Sequence, residues 1–165
     1  MNRLKTTVWI ILITVFQAVF AKYISIAEIK PDLIFVFVLC IAAKEKNIKT
    51  AMKIAVICGI AADCLTGRIF GNYLSVYLIC AVIMFIILDG LFKGNMIVSF
   101  VLMFLLTILG DSLFYVINIS VLKDAGYLYS LLNIILPAAL YNTILSFAVM
   151  YLTGKTIYKK AGVKF

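Results

Sequence analysis

Residues 58–73, which read CGIAADCLTGRIFGNY, place a carboxylate, a guanidinium and three glycines within an apolar chain. A charged side chain near the centre of a bilayer costs about 2.5–3.5 kcal/mol on insertion scales, so an acid there requires a partner, a water-filled cavity or a neutralising proton. Asp63 and Arg68 are five residues apart, at the end of an apolar run. We therefore expect Arg68 to bridge to Asp63, to Asp111 or to both.

A second set of polar residues recurs at spacings of four, four and three, on one face of the fifth predicted helix: Thr107, Asp111, Tyr115 and Asn118. Counted from the cytoplasmic side, Asp111 lies past the midplane, so Asp63, Arg68 and Asp111 share the outer half of the membrane. Three roles remain open for these groups. They fix helix register, they form a proton or ion pathway, or they form a contact surface for a partner protein.

Small residues repeat every four positions in the third predicted helix, which favours close approach of helix backbones in lipid: Ala51, Ala55, Gly59, Asp63 and Gly67. This pattern predicts a central, tightly packed helix. In the last predicted helix, Pro137 predicts a kink near Asn133. Asn142 continues a small polar stripe there and is the expected interhelical hydrogen-bond donor.

Several kinds of chemistry lack the residues they need. The chain has no histidine, which excludes Ser-His-Asp and Cys-His nucleophiles and histidine metal sites. The four cysteines show no Cys-x-x-Cys spacing, and no phosphate-binding loop is present. We expect no catalytic residue, metal or cofactor.

The elements that position these residues are predicted to be membrane-spanning helices. The chain has 165 residues, is 65% hydrophobic and only 13% charged, and has a mean hydropathy of +1.17. These values are typical of an integral membrane protein, here an all-α polytopic protein with one membrane domain over 1–165. Six predicted spans cover Thr6–Ala21, Leu33–Ala43, Ala51–Leu65, Tyr73–Leu88, Met96–Leu122 and Tyr127–Leu152. The second and third are short, and a partial crossing or a tilted hairpin remains open for them.

Basic residues support six spans with the N- and C-termini in the cytoplasm, because eleven of the fifteen then lie inside. The four on the outside are Lys22, Lys30, Arg68 and Lys123. The net charge of +8 is thus explained by contact with anionic lipid headgroups and requires no nucleic acid.

The order of these motifs resembles the MreD family of bacterial rod shape-determining membrane proteins. Pro31 and Asp32 open the second span, and Gly59-x-x-x-Asp63-x-x-Thr66-Gly67-x-x-x-Gly71 closes the third. The segment LPAALYN, Leu136–Asn142, lies in the last span and contains Pro137 and Asn142. The resemblance covers nearly the whole chain, and Thr66 stands where the family often has serine.

The resemblance implies a non-enzymatic scaffold of the cell-elongation machinery that makes peptidoglycan, in the bacterial cytoplasmic (inner) membrane. It implies MreC as the direct partner, with RodA, a class B penicillin-binding protein and the MreB cytoskeleton in the wider complex. It also implies a fold similar to the substrate-binding subunits of energy-coupling-factor vitamin transporters. Such a transporter subunit is the alternative function, and an ion or proton carrier that uses Asp111 is a third.

Overall fold

The computed structural model describes residues 3–20, 31–67, 70–89, 95–118 and 126–157, and these are helical, with no strand among them. The first five helices are α1 (Arg3–Phe20), α2 (Leu33–Lys44), α3 (Ile48–Thr66), α4 (Asn72–Ile87) and α5 (Met96–Ile117). The last helix, α6, comprises an α-helical segment Tyr127–Ser130, a π-helical turn Leu131–Ile135 and a long segment Leu136–Ile157. The predicted all-α class is confirmed.

Polar side chains cap the N-termini of three helices. The Asp32 carboxylate caps α2 by accepting from the Phe35 N–H at 3.0 Å, and Asn47 caps α3 by accepting from the Lys49 N–H at 2.9 Å. The Asn95 side chain does the same for α5. Gly67 ends α3 in the left-handed conformation, with φ at 60°, where glycine carries no Cβ penalty.

The centre of the fold is α2, because it packs against all five other helices. Nine consecutive residues of α2, from Ile34 to Ala42, are buried, so this helix has no face toward the surroundings. The prediction that α3 is the central helix is therefore wrong. Four of the five small-residue positions are buried as expected and Gly67 is exposed, and α3 also exposes Ile57 and Ile60.

The closest pair of helices is α3 and α4. Gly59 makes their approach possible: a Cβ on it would lie 2.4 Å from the Leu74 Cα. Only a hydrogen fits in that space, so the small-residue pattern of α3 correctly predicted tight packing.

Helix lengths refine the predicted spans. Helix α3 has 19 residues, so the expectation that the third span is short was wrong. Helix α2 is short as expected, with 12 residues and a length of about 18 Å at 1.5 Å per residue. Helix α5 ends at Ile117 with Asn118 as its C-cap, before the predicted end at Leu122; residues 119–125 lie outside the described part.

Two helices are long and apolar enough to cross a membrane by length and composition. They cover Ile97–Ile117, with a mean hydropathy of 2.2, and Tyr127–Tyr151, with 1.7. Shorter apolar helices cover Val8–Val19, Leu33–Lys44 and Asn72–Ile87. These features are consistent with a membrane location.

The π-helical turn Leu131–Ile135 lies immediately before Pro137, where the sequence predicts a kink. Proline lacks the N–H that would bond back into the preceding turn, and a π-helical turn is one way to accommodate that loss. The irregularity thus falls at the expected place in α6.

Candidate functional site

A polar cluster surrounds the N-terminus of α2. The Asp32 cluster consists of Asp32, Gln17, Tyr77 and Asn142, which come from the start of α2 and from α1, α4 and α6. The Tyr77 hydroxyl donates to the Asp32 carboxylate at 2.5 Å, and the Asp32 N–H donates to the Asn142 side-chain oxygen at 3.1 Å. Four helices are thereby joined at one point.

Gln17 ties α1 to this cluster with both ends of its amide. Its nitrogen donates to the Pro31 carbonyl at 2.9 Å, and its oxygen accepts from the Leu33 N–H at 3.1 Å. These groups flank the start of α2, where backbone groups lack partners within the helix. Gln17 therefore satisfies backbone groups that α2 itself leaves unpaired.

The Asp32 carboxylate is engaged by donors from two helices. It accepts from the Tyr77 hydroxyl of α4 and from the Phe35 N–H of α2. Its partners are donors, as an acceptor carboxylate requires.

A second cluster closes the turn between α3 and α4. The Asp63 cluster consists of Asp63, Gly71, Tyr73 and Leu74, in which the Asp63 carboxylate accepts three backbone N–H groups, at 3.0, 2.9 and 3.3 Å respectively. Asp63 is buried, with 3% of its surface exposed. A residue of α3 thus supplies the cap that α4 lacks, since Gly71 at its N-cap has no side chain.

Asn72 and Asn118 extend the same end of the bundle. The Asn72 side-chain nitrogen donates to the Asn118 side-chain oxygen at 3.1 Å, and the Asn118 nitrogen donates to the Phe114 carbonyl at 2.8 Å. Both asparagines are buried. This pair joins the first turn of α4 to the end of α5.

The comparisons with known proteins give no relative. No protein-family model matches the chain, and neither the curated proteins nor the solved structures contain a significant match.

The structure brings the predicted site residues together in two groups. The first group is the Asp32 cluster with its flank, and it contains Pro31, Asp32 and Asn142. The second group lies in and around the Asp63 cluster, and it contains Gly59, Asp63, Gly67, Gly71 and Asn118. Asp111 is partly buried in α5 and belongs to neither group. Pro137 follows the π-helical turn in α6, and Arg68 lies outside the described residues.

One predicted contact lies outside the described residues and one differs in detail. The expected bridge from Arg68 to Asp63, to Asp111 or to both stays a prediction, and in the described part the Asp63 carboxylate accepts from backbone N–H groups. Asn142 was expected to donate between helices, and it accepts instead, from the Asp32 N–H.

Sequence reasoning missed Gln17, Tyr77 and Asn72. Gln17 is the only glutamine of the chain and interrupts an apolar first helix, so it carried a readable signal. Tyr77 looked like an ordinary apolar residue of α4, although a buried tyrosine hydroxyl needs a hydrogen-bond partner.

The carboxylates of both clusters are engaged by hydrogen-bond donors of the fold. Asp32 and Asp63 accept hydrogen bonds from backbone groups and from a tyrosine, and no serine, threonine or cysteine is hydrogen-bonded to either carboxylate in the described ranges. Those ranges also contain no group of three or more histidine, cysteine or acidic side chains able to hold a metal ion.

Proposed function

We propose that this chain is a non-enzymatic scaffold of the bacterial cell-elongation complex, as its resemblance to the MreD family implies. In this proposal it crosses the cytoplasmic membrane six times with both termini in the cytoplasm. It binds MreC directly. Through MreC it links the peptidoglycan synthases RodA and a class B penicillin-binding protein to the MreB cytoskeleton and so contributes to cell-shape control.

One observation supports the proposal most directly. The residues that carry the resemblance are the residues that join the helices: Asp32 and Asn142 in one cluster, Asp63 and Gly71 in the other. Their polar atoms are engaged by backbone N–H groups and a neighbouring hydroxyl. A protein whose motif residues maintain its shape is suited to present a fixed surface to partners.

The test is affinity purification of the tagged chain from its own membranes in a mild detergent, followed by identification of the co-purifying proteins. We expect a single-span protein with a large extracytoplasmic domain, together with cell-wall synthases. An unrelated six-span protein with the same tag is the control for detergent-dependent association.

Two outcomes would contradict the proposal. Recovery of a membrane coupling subunit with paired ATPases would identify a vitamin-transporter substrate-binding subunit instead. Recovery of a monodisperse, folded chain without any of the cell-wall proteins, under conditions that keep other membrane complexes intact, would also remove the scaffold interpretation.

A further inference from the structure

The exposed face of α3 is basic at the start of the helix and apolar beyond it. Lys49 and Lys53 are exposed, and Ile57 and Ile60 continue the same face at spacings of four and three. These two isoleucines are 52% and 38% exposed. The opposite face of α3 packs against α2 and α4. We call the four exposed residues the α3 stripe.

The two lysines of the α3 stripe are expected to bring their charges to the same level. In an α-helix each Cα–Cβ bond tilts toward the N-terminus, so the Lys53 side chain leans back over Lys49, one turn earlier. A lysine with its stem on apolar surface also extends its ammonium toward water. Lys46, in the preceding turn, is exposed as well. Positive charge therefore collects at one end of an apolar face.

The chain itself does not neutralise this charge within the part that the structure describes. No acid there forms an ion pair with Lys49 or Lys53, although Glu45 lies in the turn before α3. The first turn of α3 contains no acid either. Lys44 differs from these lysines, because its ammonium donates to the Met150 carbonyl of α6 at 2.8 Å and so belongs to the packing of the bundle.

This arrangement is unfavourable for α3 by itself. The N-terminus of a helix carries partial positive charge, which favours acids there and disfavours lysines. Lys49 and Lys53 are also like charges one turn apart, and such pairs repel each other. An anion from outside the chain would offset both repulsions. If that anion carried an apolar chain, it would also cover Ile57 and Ile60.

We propose that the α3 stripe binds an anionic phospholipid in preference to a zwitterionic one. The headgroup phosphate lies against the ammonium groups of Lys49 and Lys53, and an acyl chain lies along Ile57 and Ile60. From Lys53 to Ile60 the helix rises about 10 Å at 1.5 Å per residue. This length fits within one leaflet of a hydrocarbon core roughly 30 Å thick. The site requires that α3 lies in a membrane, but it requires no protein partner.

Quenching of a single tryptophan by brominated lipids tests which phospholipid contacts a chosen position. Trp9, the only tryptophan of the chain, is replaced by phenylalanine, and Ile57→Trp places the reporter one turn beyond Lys53. The full-length chain is reconstituted in mixed vesicles of phosphatidylglycerol and phosphatidylcholine, in which one or the other lipid carries bromine on its acyl chains. The two vesicle sets together give the ratio of the lipids' binding constants at position 57.

We expect phosphatidylglycerol to be favoured about fivefold or more at position 57, since each lysine near an anionic surface strengthens binding by about that factor. Lys49→Gln combined with Lys53→Gln should lower the ratio about fivefold or more. Both lysines are exposed, so the double variant should retain the fold. Lys159→Gln combined with Lys160→Gln removes the same charge elsewhere in the sequence and should leave the ratio unchanged.

Leu109→Trp, again without Trp9, is the matched position on α5. The close contacts of Gly59 and of Gly110 both meet α4, at residues two apart, and so place Ile57 and Leu109 at a similar depth. Leu109 is 38% exposed, and no lysine lies within one turn of it along α5. Phosphatidylglycerol should therefore have no advantage at position 109.

Three results would overturn the proposal. The first is an equal ratio at positions 57 and 109, and the second is a ratio at position 57 that the double lysine variant does not change. The third is a tryptophan at position 57 that neither brominated lipid quenches, because α3 would then not face lipid. Co-purifying proteins play no part in this measurement, so failure of the lipid site is distinguishable from failure of the scaffold proposal.

Discussion

At the scale of single residues, buried carboxylates serve this protein by accepting backbone N–H groups. Asp63 replaces the missing cap of α4 from a position eight residues earlier in the chain, on the preceding helix. The same residue also ends α3, because its carbonyl accepts from the Gly67 N–H at 3.2 Å. One residue thus organises both sides of the turn.

Replacing Asp63 should weaken the α3–α4 turn. Asp63→Ala leaves the amides at the start of α4 without their acceptor, and the loss should be about 1–3 kcal/mol. Asp63→Asn retains one carbonyl oxygen and should lie between the wild type and the alanine variant. The measurement is the fraction of monodisperse protein that remains after heating in detergent.

The control is Cys64→Ala, which changes the adjacent but exposed residue of α3. It should retain wild-type heat stability. If Asp63→Ala is as stable as Cys64→Ala, the three hydrogen bonds of Asp63 do not hold the turn.

At the scale of helices, the existence of each element was predictable and its place in the bundle was not. Runs of apolar residues bounded by Asp32, Asn47 and Asn95 indicate where helices begin, because these side chains cap them. No sequence pattern indicated that α2 lies at the centre of the bundle. When lipid surrounds a bundle, both the inner and outer faces of helices are apolar, so hydropathy does not distinguish them.

The membership of the polar clusters was only partly predictable. The resemblance selected Pro31 and Asp32, the polar stripe of the last helix selected Asn142, and the structure joins these three, whereas the other two members of the Asp32 cluster were missed. Their actual partners include backbone groups, which every residue has and which no sequence pattern distinguishes. The three backbone N–H groups that Asp63 accepts therefore had no signal in the sequence.

Helix separation yields a prediction at Gly59. Gly59→Ala places a Cβ against the Leu74 Cα, so α3 and α4 must separate, and overpacking of this kind costs about 1–3 kcal/mol. Gly126→Ala is the matched control, since a Cβ there meets nothing within 4 Å. We expect a lower midpoint of heat denaturation for Gly59→Ala only, and equal midpoints would contradict the close approach.

At the scale of the whole molecule, the fold places a short helix, α2, with nine of its twelve residues buried, among helices with apolar outer faces. Large apolar side chains are exposed on that surface, including Ile97 at 75%, Ile144 at 70% and Leu128 at 68%. Soluble monomers rarely expose large contiguous apolar patches. An apolar outer surface with buried polar groups is consistent with a lipid environment.

The proposed six-span arrangement makes a testable prediction about the two ends of α3. Lys46 lies in the turn before α3 and Phe70 in the turn after it, and both are exposed. With 19 residues, α3 is about 28 Å long, close to the roughly 30 Å of a bilayer's hydrocarbon core. If α3 crosses the membrane, these two positions lie on opposite sides.

Single cysteines at the two positions should therefore react differently with a membrane-impermeant maleimide. A Cys64→Ala background suffices, because the other three native cysteines are buried. In intact spheroplasts Phe70→Cys should be labelled and Lys46→Cys should be protected, and permeabilisation should expose both. Labelling of Lys46→Cys alone would reverse the proposed orientation, and equal labelling of both in intact spheroplasts would show that α3 does not separate two compartments.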